Sequence, residues 1–485
     1  MNKTSIICSV SLLSTVVVSC NEKQKSSRQP NIIYILADDL GYGDLGCYGQ
    51  TIIQTPNIDR LAAEGIRFTR HYSGSTVSAP SRSSLFTGLH TGNAPIRGNR
   101  AAFSNLYEGE GQYPQPANTY TIAKMLKESG YITGCFGKWG LGNPGSEGAP
   151  ENQGIDVFYG LICQSLAHSY YPFYLWHNKD TVWLKGNKGI QQGDYAQDFI
   201  HREAIKFIRD NKDRPFFAYL PYLLPHAELI NPDDSILAMY KGKFPETPFQ
   251  GAERNPNDWR RRGYGSTPHP RTDFAAMVTR LDRYLGEIIA ELKKLGLDKN
   301  TIVMFSSDNG PHSEGGADPD FFKSYGPLRG IKRDLYEGGI RVPMIAWYPG
   351  KIKAGTVTEH ISAFWDIMPT FAELTGAKSA ANTDGISFVP TLFGKSKQKK
   401  HEYLYWEFHE QGGKIAVIKG NWKAIWLNVN NPKRTKVELY NLSEDIREEN
   451  DIANQHPEIV AELDQFMRKA HTESKIFPFS LPVAN

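Results

Sequence analysis

The chain is poor in three things, and each shortage narrows what it can be. Cysteine is rare, five in 485 residues. Cys8 and Cys20 fall in the N-terminal stretch, and Cys47, Cys135 and Cys163 are an odd set without metal-ligand spacing. One disulfide plus a free thiol, or three buried thiols, both stay open. Net charge is scarce too: 55 Lys and Arg against 52 Asp and Glu leave +3. No Lys/Arg block stands out, and Lys395-Ser396-Lys397-Gln398-Lys399-Lys400 reads as a solvated linker, so no nucleic-acid partner is expected. Long apolar runs are also wanting. The stretch Ile6 to Val18 is too short to span a bilayer. What remains, 40% hydrophobic and 22% charged residues, is ordinary for a soluble globular protein of two or three domains.

Residues 1–20 read as a targeting segment: Lys3 gives the positive start, Ile6 to Val18 the apolar middle, and Val17-Val18-Ser19-Cys20 the end. Small residues before a cysteine resemble a bacterial lipoprotein signal with Cys20 as the lipidated first residue; a plain secretory signal cleaved nearby is the alternative. Either way an exported protein is expected, periplasmic or an outer-membrane lipoprotein, with residues 21–29 as a polar tether.

Asn31 to Ala37 is a continuous apolar run, the mark of a parallel strand buried on both faces. It ends in Asp38-Asp39. Two carboxylates at that end of a strand sit where open α/β sheets place ligands, and they repel unless a cation holds them. Thr301 to Ser307 repeats the pattern and ends in Asp308-Asn309-Gly310. Between them lies Ser78-Ala79-Pro80-Ser81-Arg82-Ser83-Ser84-Leu85-Phe86-Thr87-Gly88. Pro80 suits the first position of a short helix and Gly88 its end. Ser78 then sits at or just before the helix N-terminus, where free N–H groups and the dipole favour an anion, with Arg82 one turn on. A simple Ser cap is the plainer reading.

Further strands are expected at Tyr131 to Phe136, leading to Lys138, and at Pro215 to Leu220, leading to Pro225-His226. A histidine held just past a buried strand suits a general acid. Helices are expected from Thr55, at Thr121 to Ser129, Asp194 to Asn211, Asp273 to Leu295 and Asp366 to Thr375. Residues 143–193 show little regular pattern and read as a pocket-shaping insertion. In it, Tyr170 to Asn178 is dense in aromatics that suit sugar faces, and His168 and His177 are pocket candidates. Residues 231–272, with Arg260, Arg261 and Arg262, read as a surface excursion. Three short strands (403–408, 414–419, 422–427) and a helix over 457–470 close the chain, with Glu407 and His409 either near the pocket or facing solvent.

The blocks N-I-I-Y-I-L-A-D-D-L-G-Y-G-D, S-x-P-S-R-x-x-L-x-T-G, G-K-W-G-L-G, S-D-N-G and L-R-G-x-K with E-G-G-I-R-V-P resemble, in order, those of the type I sulfatases. The resemblance implies an α/β fold of alkaline-phosphatase type: a large, mixed, mostly parallel sheet flanked by helices over residues 30–395. A small C-terminal α+β unit with an antiparallel sheet follows over 396–480. It implies that Ser78 is oxidised to formylglycine (3-oxoalanine) by an anaerobic-type maturing enzyme. The implied metal set is Asp38, Asp39, Ser78, Asp308 and Asn309. These all-oxygen ligands select a hard cation, Ca²⁺ before Mg²⁺. Arg82, Lys138 and Lys332 would supply positive charge, and His226 would protonate the leaving alcohol. His168, His177, Arg100 and His312 are the expected substrate contacts.

One position departs from the commoner family form, which has a histidine where this chain has Gly140; His90 and His168 are both possible substitutes. The implied activity is sulfate removal from a glycan. The best match is an exo-acting galactose 3-O-sulfatase, with 4-O- or 6-O-sulfated sugars next. A phosphodiesterase or phosphonate hydrolase of the same superfamily is an alternative, and so is a glycan-binding lipoprotein without catalysis.

Overall fold

Asn31–Ala37 (β1) is buried along its whole length and lies at the middle of an eleven-stranded sheet. In this computed structural model residues 29–102, 111–257, 263–380, 382–395, 397–431, 433–479 and 481 are described. The expected signal segment, Cys20 and the Arg260–Arg262 cluster lie outside them. The other strands of the sheet are β2 (Ile66–Tyr72), β3 (Ile132–Lys138), β4 (Val157–Leu161), β5 (Tyr174–His177), β6 (Asp180–Trp183), β7 (Phe216–Pro221), β8 (Thr301–Ser307), β9 (Arg341–Trp347), β10 (Thr356–Thr358) and β11 (Ser362–Ala363). Their order is β10-β2-β9-β8-β1-β7-β3-β4-β5-β6, with β11 on β2. The centre, β8-β1-β7-β3-β4, is parallel. β9 runs against both β8 and β2, so β2 points the same way as the centre.

The unbroken apolar run of β1 has a direct cause. Ile33, Ile35 and Ala37 face one core, packed with Ile200, Ala204, Leu281 and Leu285 of helices Ala196–Asp210 and Pro270–Lys294. Ile32, Tyr34 and Leu36 face the other, against Leu85 and Phe86 of helix Ser78–Thr87 and Phe371 of helix Ile367–Thr375. Successive side chains of a strand point to opposite faces, so a strand covered on both faces has no polar position to spare.

Residues 143–193 correct the expectation of an irregular insertion. They hold β4, β5 and β6, which extend the main sheet. Gly160 interrupts the apolar pattern of β4, and β5 and β6 have four residues each, too few to show a period. Pro80 is likewise not at the first helical position. The helix starts at Ser78, and Pro80 is its third residue. Its missing N–H costs nothing there, because the first four helical N–H groups have no partner within the helix. Cys47, Cys135 and Cys163 form no disulfide among the described residues, and the last two are buried.

A second sheet has four antiparallel strands in sequence order: β12 (Leu404–Phe408), β13 (Lys414–Lys419), β14 (Trp422–Leu427) and β15 (Lys436–Asn441). The last of these is unforeseen, its short apolar alternation hidden among charges. One face packs on helix Pro457–Ala470. The other packs on Tyr72, Val77 and Trp365 of the large unit.

Candidate active site

The parallel register explains the assembly of the site. Ala37 lies opposite Ser307, so Asp38-Asp39 and Asp308-Asn309 leave neighbouring strands side by side. All four are fully buried. The Asp39 backbone N–H donates to Asp308 Oδ1 at 3.0 Å, and Asn309 Nδ2 donates to Asp39 Oδ1 at 2.7 Å. Asp39 has a φ of 62°, the left-handed region that aspartate visits more readily than most residues and that recurs at functional sites.

Helix Ser78–Thr87 follows β2 and enters from the same edge. Ser78 Oγ donates to Asp38 Oδ1 at 3.2 Å, and Lys138 Nζ, at the end of β3, donates to Asp38 Oδ2 at 2.6 Å and reaches Ser78 Oγ at 3.5 Å. The Ala79 N–H, free at the helix start, donates to Asn99 Oδ1 at 3.0 Å. Arg82 is fully buried and committed: Nε and Nη2 donate to Asp308 Oδ2 at 3.1 and 2.8 Å, and Nη1 donates to Lys138 O at 2.6 Å. It ties the ends of β3 and β8 together beneath the cavity and does not line it.

On the other side stand His226, Lys332 and Glu314. Lys332 Nζ donates to Asp39 Oδ2 at 2.8 Å and Glu314 Oε2 at 2.6 Å, and lies 3.3 Å from His226 Nε2. His226 Nδ1 is 2.5 Å from Ala227 O. A carbonyl only accepts, so Nδ1 carries the hydrogen and Nε2 is the free lone pair facing Lys332. Burial, partly opposed by Asp39 and reinforced by Lys332, pushes the His226 imidazole down to about 3, so it is neutral at rest. Lys332 is buried, yet Asp39 and Glu314 hold its ammonium well above the usual range. Burial works to raise Glu314 as well, but Lys332, His226 and His312 pull its carboxyl far down.

The His168 ring stacks on His226 at 4.9 Å and 16°, and the His312 ring stacks on it at 5.8 Å and 22°. Burial and the neighbouring His226 depress His168. His312 Nε2 donates to Pro225 O at 3.2 Å and Nδ1 accepts from Glu314 N at 3.1 Å, so it braces the His226 loop.

These groups surround a cavity of about 210 Å³. Ser78, Lys138, His168, His226, Lys332 and Arg100 line it, as does a set that the sequence did not single out: Asn99, Gln112, Gln164, Tyr264 and Arg333. Arg333 donates to Glu314 Oε1 at 2.6 Å. Arg100 is exposed at the rim and donates to Ile476 O of the C-terminal segment. A larger cavity, about 700 Å³, lies under Tyr195 and Arg283 and contains none of these residues.

Two expectations are corrected, for His177 and Glu407, and one open choice is narrowed. His177 is exposed and pairs with Asp180 beside a turn at the N-terminal edge of β4, where Asn178 bonds Phe158, the edge opposite the cavity. Of its aromatic stretch, Tyr170 serves the site: its hydroxyl donates to Leu223 O and His226 O at 2.7 and 2.9 Å. Of the two substitutes considered for a side chain at Gly140, His168 is in the cavity and His90 is not. His90 meets Trp365 edge-on and Tyr405 at a tilt, and lies 3.6 Å from Asp384. Glu407 neither faces solvent nor reaches the cavity. It is fully buried and accepts from Tyr405, His409 and His471.

The residues present fit a hard cation. Asp38, Asp39, Asp308 and Asn309 offer only oxygen, and Asn309 Oδ1 is buried without a hydrogen-bond partner among the described residues. A buried acceptor left unpaired carries a desolvation cost that a cation would relieve. Asp38, Asp39 and His226 also lie close enough to share one ion.

Comparison with known proteins identifies the family. The sulfatase family pattern matches residues 30–377, and that of the N-sulphoglucosamine sulphohydrolase C-terminal region matches 331–473. The N-acetylgalactosamine-6-O-sulfatase of Bacteroides thetaiotaomicron is 30% identical over 536 aligned positions, covering 94% of this chain and 97% of that protein. Human arylsulfatase A is 33% identical, covering 82% and 75%. The crystal structure of Ps i-CgsB in complex with k-i-k-neocarrahexaose superposes with a TM-score of 0.75 at 30% identity, covering 91% and 92%.

Proposed function

The chain belongs to the sulfatase family and is a sulfuric ester hydrolase of the glycan-directed kind, and from that premise we propose that it releases sulfate from a terminal sugar of a sulfated glycan. The observation that carries this is the convergence, on one small cavity, of Ser78 on Asp38, Lys138 beside both, and the His226–Lys332 pair opposite. When present, formylglycine at position 78 supplies a hydrated aldehyde as nucleophile, and Ca²⁺ on Asp38, Asp39, Asp308 and Asn309, in preference to Mg²⁺, supplies Lewis-acid charge.

The chain's own groups do the rest. Lys138 and Lys332 hold the sulfate oxygens from two sides and stabilise the charge that builds on them. Arg82 keeps Asp308 and the end of β3 in register and acts by positioning. With Nδ1–H fixed on Ala227 O, Nε2 is the His226 nitrogen that delivers a proton to the departing sugar oxygen. The bound sulfate's negative charge raises the proton affinity of a ring that is otherwise neutral.

The cavity's size supports exo action on one sugar ring, and the carboxamides of Asn99, Gln112 and Gln164 suit hydroxyls because each both donates and accepts. Galactose 3-O-sulfate is the first substrate to test. N-acetylgalactosamine 6-O-sulfate is the second, supported by the Bacteroides relative's named activity. A maturing enzyme acting on Ser78 and a lipid on Cys20 at the bacterial periphery complete the proposal.

The test is sulfate release from 3-O-, 4-O- and 6-O-sulfated galactose and amino sugars by protein co-produced with a serine-type maturase. Expected is release from one isomer, abolished in Ser78→Ala and by chelation, and restored by Ca²⁺. No release from any of them, with the aldehyde confirmed by mass spectrometry, overturns the proposal. Activity on a phosphodiester or phosphonate would then identify the alternative hydrolase. Glycan binding without turnover of any of these would identify a binding lipoprotein.

A further inference from the structure

Gly140 stands two residues past Lys138 with a φ of 78°, and a Cβ there would lie 2.0 Å from Gln164 Nε2, 2.9 Å from its Cδ and 3.6 Å from Arg82 Cδ. The Gln164 amide thus occupies the space into which a side chain at 140 would project. The backbone fixes this relation. Trp139 N–H donates to Leu161 O at 2.9 Å and Gly140 N–H to Ile162 O at 2.8 Å, carrying the β3–β4 pairing past the strand ends to Gln164. Among the described residues the Gln164 amide makes one hydrogen bond, a long one of 3.5 Å to Gly140 O. It lines the same cavity as Ser78, Lys138, His226 and Lys332. A half-buried carboxamide with its hydrogen-bonding capacity nearly unspent, set beside two lysines in the anion pocket, is placed to donate to what they hold.

We propose that Gln164 is a further anion-contacting residue, whose Nε2 donates to the sulfate group bound over position 78, and that Gly140 is glycine to make room for it. This rests on the sulfatase reading of the site and adds to it a residue from a separate loop. Gln164 and Lys138 would contact the sulfate together, so each should contribute in the bound state and in the transition state.

The probe is inorganic sulfate, titrated by calorimetry into the unmodified Ser78→Ala protein. Gln164→Met keeps length and bulk without the amide. Adding it should weaken sulfate binding by roughly 10-fold to 100-fold, the usual worth of a hydrogen bond to a charged group, with the thermal midpoint unchanged. Gln164→Glu, of the same shape but negative, should weaken it further. In matured protein Gln164→Met should lower kcat/KM by a similar factor. Binding by Ser78→Ala/Gln164→Met equal to that of Ser78→Ala alone would make Gln164 a space-filler and overturn the assignment, as would absence of sulfate binding to Ser78→Ala. Sulfate-ester turnover by the unsubstituted enzyme is a separate readout. If it fails while the sulfate titrations differ as expected, the Gln164 assignment stands and the substrate reading falls.

Discussion

Two clusters of buried charge stand in this molecule, one at the strand ends and one under the second sheet, and they are built differently. At the strand ends, Asp38, Asp39, Asp308 and Glu314 meet Arg82, Lys138, Lys332 and Arg333. Under the second sheet, Lys423 bridges Glu337 and Glu448, each at 2.9 Å, and Arg341 joins Glu337 at 3.2 Å. The second cluster is closed to solvent, although Glu448 Oε1 meets Lys423 as an ion pair and has no hydrogen-bond partner among the described residues. The Tyr72 hydroxyl donates to Glu337 Oε2, the Glu337 N–H donates to Glu448 Oε2, and Lys423, Glu337 and Glu448 have no exposed side-chain surface. The first cluster is open on one side, leaves Asn309 Oδ1 unmatched, and presents Lys138 and Lys332 to a cavity. A buried charge network sealed from solvent serves as a joint. One that opens on a cavity is equipped to receive something charged.

This contrast can be broken at either end. The largest effect is expected from Lys138→Ala, with a loss of about 10²–10³-fold in kcat/KM, measured as sulfate release. Its stability loss should be modest, because Arg82 Nη2 remains 3.7 Å from Asp38. Lys423→Met should do the reverse. It leaves two buried carboxylates without their shared cation and should cost about 3–5 kcal/mol in a denaturant melt, while the protein that stays folded keeps its kcat. Equal stability losses in the two variants would erase the distinction.

A finer effect concerns pH. Burial pushes the Glu448 carboxyl up to about 7, against the pull of Lys423. From its ordinary value of 4.5 to about 7 the folded state therefore holds a proton that the unfolded chain has released. That contribution to stability is complete below 4.5 and fades as pH rises through 7. Subtracting the stability of Glu448→Gln from that of the unsubstituted protein should give a difference that falls across this window by at most about 1.4 kcal/mol per pH unit. A flat difference would show the carboxyl ionised throughout.

Much of the site was legible in the sequence where chemistry follows directly on a buried strand. Asp38-Asp39 after β1, Lys138 at the end of β3, and Asp308-Asn309 after β8 each announce themselves as polar groups closing an apolar run. His226, set off by Pro225 after β7, is a weaker case of the same signal. The groups that sequence reasoning missed have no such frame. Asn99 and Gln112 come from one long connection and Gln164 and Tyr264 from two others, and only tertiary packing makes them neighbours. Glu314 had a faint signal, standing two residues past His312 and five past Asn309. His177 misled because its aromatic context belongs to a short edge hairpin, at whose turn it is exposed. For Arg82, charge and spacing were legible but direction was not: a guanidinium one turn into the helix turned under the sheet edge instead of toward the ligand.

The pairing of β1 with β8 also carries a schedule. Asp39 and Asp308 are 269 residues apart in the chain, and the Ser78 helix is anchored to Asp308 through Ser81 and Arg82. At about 5–20 residues per second of synthesis, roughly 13 to 54 s separate the emergence of the first carboxylates from that of their partners. Ser78 lies 230 residues before Asp308, so at the same pace the helix lacks the anchor that fixes it in place for roughly 12 to 46 s. Ser78, only 2% exposed once the sheet is complete, thus has a limited period of open access, set by the ribosome's pace and by the distance between two strands in the chain.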